Sequence, residues 1–530
     1  MSIRLARRAT VSAGLAVLLA SASSAALAQA IPTAPAAAPT GISQEQFLAL
    51  MGRLDSLEKR NEELEQQVLD LKAATAGSDA AIRQQAAAQP TVSLANGRPT
   101  FASADGQFTA SLRGIVQLDA AHYDQRSPGP QATDFRRGSL GDATEADRAR
   151  DLGDGTNFRR VRFGVEGKAW GDWSYNLLFD FGGSGVEDVG KINNAYIEYA
   201  GFNPVKLRIG AFAPTTGLED ATTNTSSLFL ERPAVAELVR GLAGGDGRTG
   251  AAVLANGDRW SFFSAVTGNT IAVQTFDEQL GWIGRLTYVP FKDADNLVHI
   301  GASANIVINP AATGPDVQPS GAATPVRLRE RPELRVDGTR LVDTGNIDAD
   351  DVRAYGREGG LQHKQFSLAG EYFWLDVNRR ASALADPSFS GWYLQGAWTL
   401  TGEPRRYNAA SGGFDSPKIA KPFSLKAHTW GAWELAARYS ELDLNYHAGL
   451  AGVAAPSASS VRGGDQKIFT LGLNWYPNAN VRFLADYQHV DVTRLSPGGT
   501  AFGAGVLTPP AGAQIGQDLN IWSFRTQYAF

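Results

Sequence analysis

Between Asn157 and Phe181 the chain reads NFRRVRFGVEGKAWGDWSYNLLFDF, and apolar and polar positions alternate through it. Val161, Phe163, Val165 and Ala169 share one side; Arg160, Arg162, Glu166 and Lys168 share the other. After Gly171-Asp172, Trp173, Tyr175, Leu177, Phe179 and Phe181 continue the apolar side, opposite Ser174, Asn176 and Asp180. A period of two predicts strands. One such hairpin suits a soluble sheet as well as a membrane wall. The pattern recurs, however, near 107–121, 157–169, 173–181, 190–199, 205–212, 248–255, 259–267, 280–289, 297–306, 352–361, 365–376, 390–401, 430–444, 466–476, 480–493 and 517–530. About sixteen strands, apolar outside and polar inside, predict an all-β transmembrane antiparallel barrel over residues 105–530.

The connections sharpen that expectation. Gly171-Asp172, Gly201 to Pro204, Asn256 to Asp258, Phe291 to Asn296 and Pro477 to Asn480 are short, whereas 122–156, 213–247, 307–351 and 494–516 are long and rich in Gly, Pro and Asp. Short turns at one rim and long loops at the other belong to outer-membrane barrels, and an even strand number leaves both chain ends on the short-turn, periplasmic side. Gly402 to Thr429 breaks the rule: it is long, yet it falls on the short-turn rim, and it carries Arg405, Arg406, Lys418 and Lys421. We expect it to fold into the lumen. Trp522, Phe524, Tyr528 and the terminal Phe530 share a face, similar to the C-terminal signal for barrel insertion.

Upstream the periodicity changes. Residues 1–28 read as a signal peptide, with Arg4, Arg7 and Arg8, an apolar run from Val11 to Leu19, and Ala26-Leu27-Ala28 as cleavage site. A Pro/Ala linker occupies 29–42. From 43 to 72 the period is seven: Phe47, Leu54, Asn61 and Val68 at a, Leu50, Leu57, Leu64 and Leu71 at d. Arg53 and Arg60 would face Glu58 and Glu65 of a neighbouring chain, as in a parallel coiled coil. The run Arg53-Leu54-Asp55-Ser56-Leu57-Glu58 looks like a trimer-specifying motif, while Asn61 at a also suits two strands. Residues 73–104 read as a polar, Ala/Gln-rich spacer.

Composition removes several classes. The 530 residues contain no cysteine, so there are no disulfides or thiolate metal sites. A mean hydropathy of -0.20 is far too low for a helical membrane protein of this size, whereas a barrel hides its apolar residues at alternate positions. A net charge of -5 does not suggest a nucleic-acid partner. Six histidines lie in no arrangement with serine or carboxylate that carries catalytic logic, so no enzyme, no metal and no cofactor is expected. The barrel segments are too many for a trimeric adhesin, in which each chain gives only a few strands.

The segments Phe158 to Gly171 (FRRVRFGVEGKAWG), Gly217 to Arg232 (GLEDATTNTSSLFLER), Leu297 to Ser303 (LVHIGAS), Leu400 to Tyr407 (LTGEPRRY), Gly431 to Leu444 (GAWELAARYSELDL) and Leu471 to Tyr476 (LGLNWY), with RPE and VDTGNI between Arg331 and Ile347, occur in order. Through them the chain resembles the phosphate-selective porin O and P family. The resemblance implies a sixteen-stranded, homotrimeric outer-membrane barrel, narrowed by inward-folded segments and lined by basic residues, with phosphate-class anions as permeants. The coiled coil would be an extension in the periplasm. A general-diffusion or organic-anion porin is the alternative on the same barrel.

A pore for phosphate needs stepwise cations, and arginine matches phosphate oxygens with a planar fork. Strand parity nominates Arg160, Arg162, Lys206, Arg208 and Arg285 as inward-facing; loops add Arg232, the group Arg327, Arg329, Arg331 and Arg335, and Arg405 with Arg406. The resemblance supports Arg159, Arg160 and Arg232 most directly. Glu166, Asp180, Glu198, Glu371 and Glu434 are placed to neutralise some of them.

Overall fold

A computed structural model describes residues 43–87, 89–125, 152–183, 190–271, 273, 275–315, 321–380, 382–498 and 509–530. The expected signal peptide and linker, and the central parts of the loops at 122–156 and 494–516, lie outside the described residues. The chain divides near residue 84 into two units, a helix and a barrel.

Helix α1 spans Gln44–Ala87. Ser43 and Gln46 cap it reciprocally: the Gln46 N–H donates to Ser43 Oγ and the Ser43 N–H to Gln46 Oε1, both at 3.3 Å. The helix continues through the first part of the expected spacer because that stretch is rich in alanine, the strongest helix former. Phe47, Leu50, Leu54, Leu57, Leu64, Val68 and Leu71 are all exposed on the single chain.

Among the described residues of the barrel unit, sixteen long strands form the wall and alternate in direction. They are β1 (Thr109–Gln125), β2 (Gly155–Ala169), β3 (Trp173–Asp180), β4 (Lys191–Phe202), β5 (Val205–Phe212) and β6 (Arg248–Asn256). Next come β7 (Trp260–Thr270), β8 (Leu280–Lys292), β9 (Asn296–Asn309), β10 (Ile347–His363) and β11 (Phe366–Arg379). The last are β12 (Ser388–Thr399), β13 (Ala432–Tyr446), β14 (Val461–Tyr476), β15 (Val481–Thr493) and β16 (Asp518–Ala529). Each pairs antiparallel with the next, and β16 returns to β1 from Leu519↔Gln125 to Ala529↔Ile115, leaving no free edge. Phe530 seals the seam: its N–H donates to Gly114 O at 3.0 Å and its carbonyl accepts from Gly114 N–H at 3.1 Å. A Cβ on Gly114 would lie 2.2 Å from the Phe530 ring, so a larger residue there would have to push that ring aside.

Alternation sorts the faces as expected. On β14, Phe469, Leu471 and Leu473 are exposed while Ile468, Thr470 and Asn474 are buried. The lumen is not simply polar. Helix α2 (Ala234–Ala243), within the connection after β5, inserts Val235, Leu238, Val239 and Leu242 against β8, β9, β12 and β13. Leu328, Leu334, Leu341 and Val342, from the connection after β9, extend that apolar layer to Val490, Ile515, Leu519 and Ile521. Much of the β8–β16 side is therefore filled.

The long turn after β12 also folds inward. Its hairpin pairs Arg405–Asn408 with Gly413–Pro417. Phe414 packs with Leu218, Val289 and Leu297, and Arg285 donates to the carbonyls of Ser411 and Gly412 at 2.6 and 2.7 Å. That arrangement accounts for a long connection at the short-turn rim.

Candidate functional site

Opposite the apolar filling, between β2–β4 and the inserted segments, lies a chamber of about 190 Å³. Its cations are Arg159, Arg160, Arg162, Lys191, Arg232, Arg240 and Arg335; its carboxylates are Asp180, Glu237 and Asp246. Seven positive side chains face three negative ones.

Local backbone geometry doubles one cation. Strict alternation would send Arg159 to the lipid side, because Val161 and Phe163 face outward. A β-bulge between Gln117↔Arg160 and Leu118↔Phe158 leaves Arg159 as the extra residue, so Arg159 and Arg160 both face the lumen and Phe158 turns out.

The arginines are held by carboxylates brought from far along the chain. Glu231 is the hub. Arg159 grips it with two hydrogen bonds of 2.8 and 3.2 Å, Arg525 donates to it at 2.8 Å, and Arg160 and Arg335 approach to 3.7 and 4.0 Å. Arg162 bridges Asp180 at 2.7 Å and Asp246 at 2.8 Å. Arg240 bonds Asp220 at 2.6 Å and also reaches Asp246. Arg232 donates to Asn224 Oδ1 at 2.8 Å and lies 3.5 Å from Glu237, which also pairs with Arg335. Burial opposes ionisation of Glu237, but Arg335, Arg240 and Arg232 outweigh it and hold the carboxyl at about 2. Burial likewise works against Asp246, and Arg240 and Arg162 overcome it, keeping that group well below the ordinary range. Buried charges of this kind persist only when paired.

Two donors in the chamber stand apart. Arg160 spends Nη1 on Gln117 Oε1 at 2.8 Å, but among the described residues its Nε has no acceptor. Asn193 Nδ2 has none either. Both residues are 3% exposed. Unpartnered buried donors are costly unless something else supplies an acceptor.

The remaining nominated residues lie elsewhere. Arg208 faces inward but is bound to Glu198 at 2.6 Å and stacks on Tyr196 at 4.2 Å. Lys206 is half-buried on the same strand. Arg285 grips Glu358 through bonds of 3.0 and 2.6 Å and so supports the inturned hairpin. Arg405 is locked to Glu434 at 3.0 Å. Arg406 is exposed and donates to Ser416 O at 3.1 Å. These five do not line the chamber. Of the loop group, Arg335 joins it, whereas Arg327 pairs with Asp343 and Arg331 donates to Gly338 O. The carboxylates Asp180, Glu198 and Glu434 do pair with nominated arginines. Glu166 instead pairs with Arg98 and Arg113, and Glu371 accepts the N–H groups of Leu218 and Glu219.

A profile of the phosphate-selective porin O and P family matches residues 134–501, well over half of the chain. The chain belongs to that family. It is therefore an outer-membrane porin, a channel and not an enzyme. Porin O of Pseudomonas aeruginosa is 27% identical over 403 residues, covering 74% of this chain and 86% of that one. An uncharacterized protein of Caulobacter vibrioides is 26% identical over 417 residues, covering 78% and 74%. Among solved structures, an anion-selective porin from Comamonas acidovorans aligns at 12% identity and a TM-score of 0.45, covering 80% of this chain and 100% of that one.

In this porin, sequence reasoning passed over Arg240, Arg525, Lys191 and Asn193. Arg525 was within reach: Trp522 and Phe524 face outward in turn, and parity sends Arg525 inward. Arg240 required recognising α2, whose Val235, Leu238, Val239 and Leu242 follow helical spacing inside a stretch read as loop.

Proposed function

We propose that this porin is anion-selective and conducts phosphate-class anions through the chamber beside β2–β4. The observation that carries the reading is the lining: seven cationic side chains against three lining carboxylates, or five with Glu231 and Asp220, which pair with the same arginines, and Arg160 Nε and Asn193 Nδ2 left as buried donors. A tetrahedral oxyanion has acceptors in several directions and can replace lost water with such donors. The carboxylates keep the arginines apart and oriented, so an anion is passed on rather than trapped. The description of the matched family supports phosphate as the class. One charge about 4 Å from the anion is worth roughly 4 kcal/mol at an effective dielectric of 20, enough to decide which ion enters. By the same reading the coil lies in the periplasm and assembles a homotrimer.

The test is the reversal potential of the purified porin in a bilayer under a potassium chloride gradient. Wild type should reverse toward chloride, and phosphate should block the chloride current. Replacing Arg160 and Arg232 together with glutamate should move reversal toward potassium and weaken the block. Concentrated salt should blunt the difference, since the Debye length falls to about 3 Å at 1 M. A wild-type channel that prefers potassium in dilute salt would refute the proposal.

A further inference from the structure

We infer that the outer wall across β10–β13 carries a site for the phosphorylated sugar headgroup of an outer-leaflet glycolipid, seated on Arg357. The outward residues of β10, counted from the short-turn rim, are Leu361, Gly359, Arg357, Tyr355 and Arg353. Arg357 stands beside Ala302 of β9 and Tyr372 of β11. Its guanidinium lies over the Trp374 ring, 5.1 Å from the centroid.

Its bonding sets it apart from the arginines inside the barrel. Among the described residues the Arg357 side chain makes no hydrogen bond and no ion pair. Arg353, two outward positions higher on the same face, is satisfied by Asp351 at 2.8 Å. An outward-facing arginine is costly in the middle of the hydrocarbon and cheap near its edge. Tyr355, Tyr372, Trp374 and Trp392 place that edge here, because such rings gather at the interface. The cation is thus presented where headgroups lie, steadied by an aromatic face and with its fork unspent.

The ground beside it is concave. Ala302, Ser388 and Ser390 are small, and the groove they share with Arg357 encloses about 710 Å³. Asp376 and Asp443 line its far side. One phosphate can pair with Arg357, while carboxylates opposite repel a second phosphate and accept hydrogen bonds from sugar hydroxyls. That division of labour favours a phosphorylated sugar over a simple phospholipid. The long-loop rim, where the groove lies, is the face on which such glycolipids reside.

The test is native mass spectrometry of the whole porin in detergent with monophosphorylated lipid A, dephosphorylated lipid A, phosphatidylglycerol or inorganic phosphate as competitor. Wild type should retain the phosphorylated glycolipid about tenfold better than the dephosphorylated one, the worth of one charge-assisted hydrogen bond. Inorganic phosphate should not displace it. Arg357→Ala should abolish the preference and Arg357→Lys should keep part of it, both with unchanged reversal potential. Equal retention of the two lipid A forms by wild type overturns the inference and needs no variant. Equal retention of phosphatidylglycerol overturns the sugar contribution. If Arg357→Ala alters the oligomeric state and leaves lipid retention intact, a second copy covers the groove and the inference fails.

Discussion

At the scale of single residues, selectivity rests on how many carboxylates stay charged among the arginines. Glu237 provides a direct handle. Its folded value is lowered to about 2, against about 4.3 for an ordinary glutamate. Its contribution to stability is therefore fully present above the ordinary value and is lost as pH falls through about 2. Anion preference should stay flat from neutral pH down to about 4 and rise only below that, as protonation releases Arg232, Arg240 and Arg335. Reversal potentials across that range test this, with Glu237→Gln as the flat reference. A step centred at the ordinary glutamate value would show that the arginines do not hold Glu237. The sequence revealed Arg160 and Arg162 by parity, and the resemblance pointed to Arg159. The bulge that turns Arg159 inward has no signature in NFRRVRF, because either arginine could be the extra residue. Nor could Glu231 be recognised as a hub, since its partners Arg159 and Arg525 meet it only when the barrel closes.

Among elements, the inserted pieces matter more than the strands. The strands obey period two, apart from bulges such as the one at Arg159, and were legible for that reason; the bounds differ mainly because β1, β10 and β14 continue above the lipid band, where outward residues turn polar. The inserted pieces obey other rules. Helix α2 buries its apolar stripe inside the barrel, and the hairpin after β12 is pinned by Arg285, Arg405 and the hydrogen bond between His299 Nδ1 and the Tyr407 hydroxyl at 2.7 Å. Removing the Arg285 fork should loosen that pin. We expect Arg285→Ala to add current noise and sub-conductance states at unchanged ion preference, since Arg285 lies outside the chamber. Leaving Glu358 buried and short of its partner should also cost roughly 3–5 kcal/mol, read as a lower unfolding temperature in detergent. Quiet, single-level currents would mean the hairpin is held without it.

For the whole molecule, α1 with its exposed heptad face and the barrel form separate units, and the role proposed for the first is assembly. Deleting residues 43–72 should leave a folded, conducting barrel but lower the temperature at which the oligomer dissociates in detergent. Failure of the shortened protein to insert would assign the coil another role. The sixteen strands carry a different consequence. Because that number is even, the chain begins and ends the barrel at one rim, and the cell surface sees only the connections of the other. An epitope tag ahead of β1 should then be hidden from antibodies applied to intact cells, however exposed it is on the protein itself. The same tag in the connection between Tyr446 and Val461 is displayed outside. Surface labelling, vaccine display and phage adsorption all have to work through those connections, of which the ones after β5 and β9 also carry Arg232, Arg240 and Arg335 of the chamber and are held to its charge.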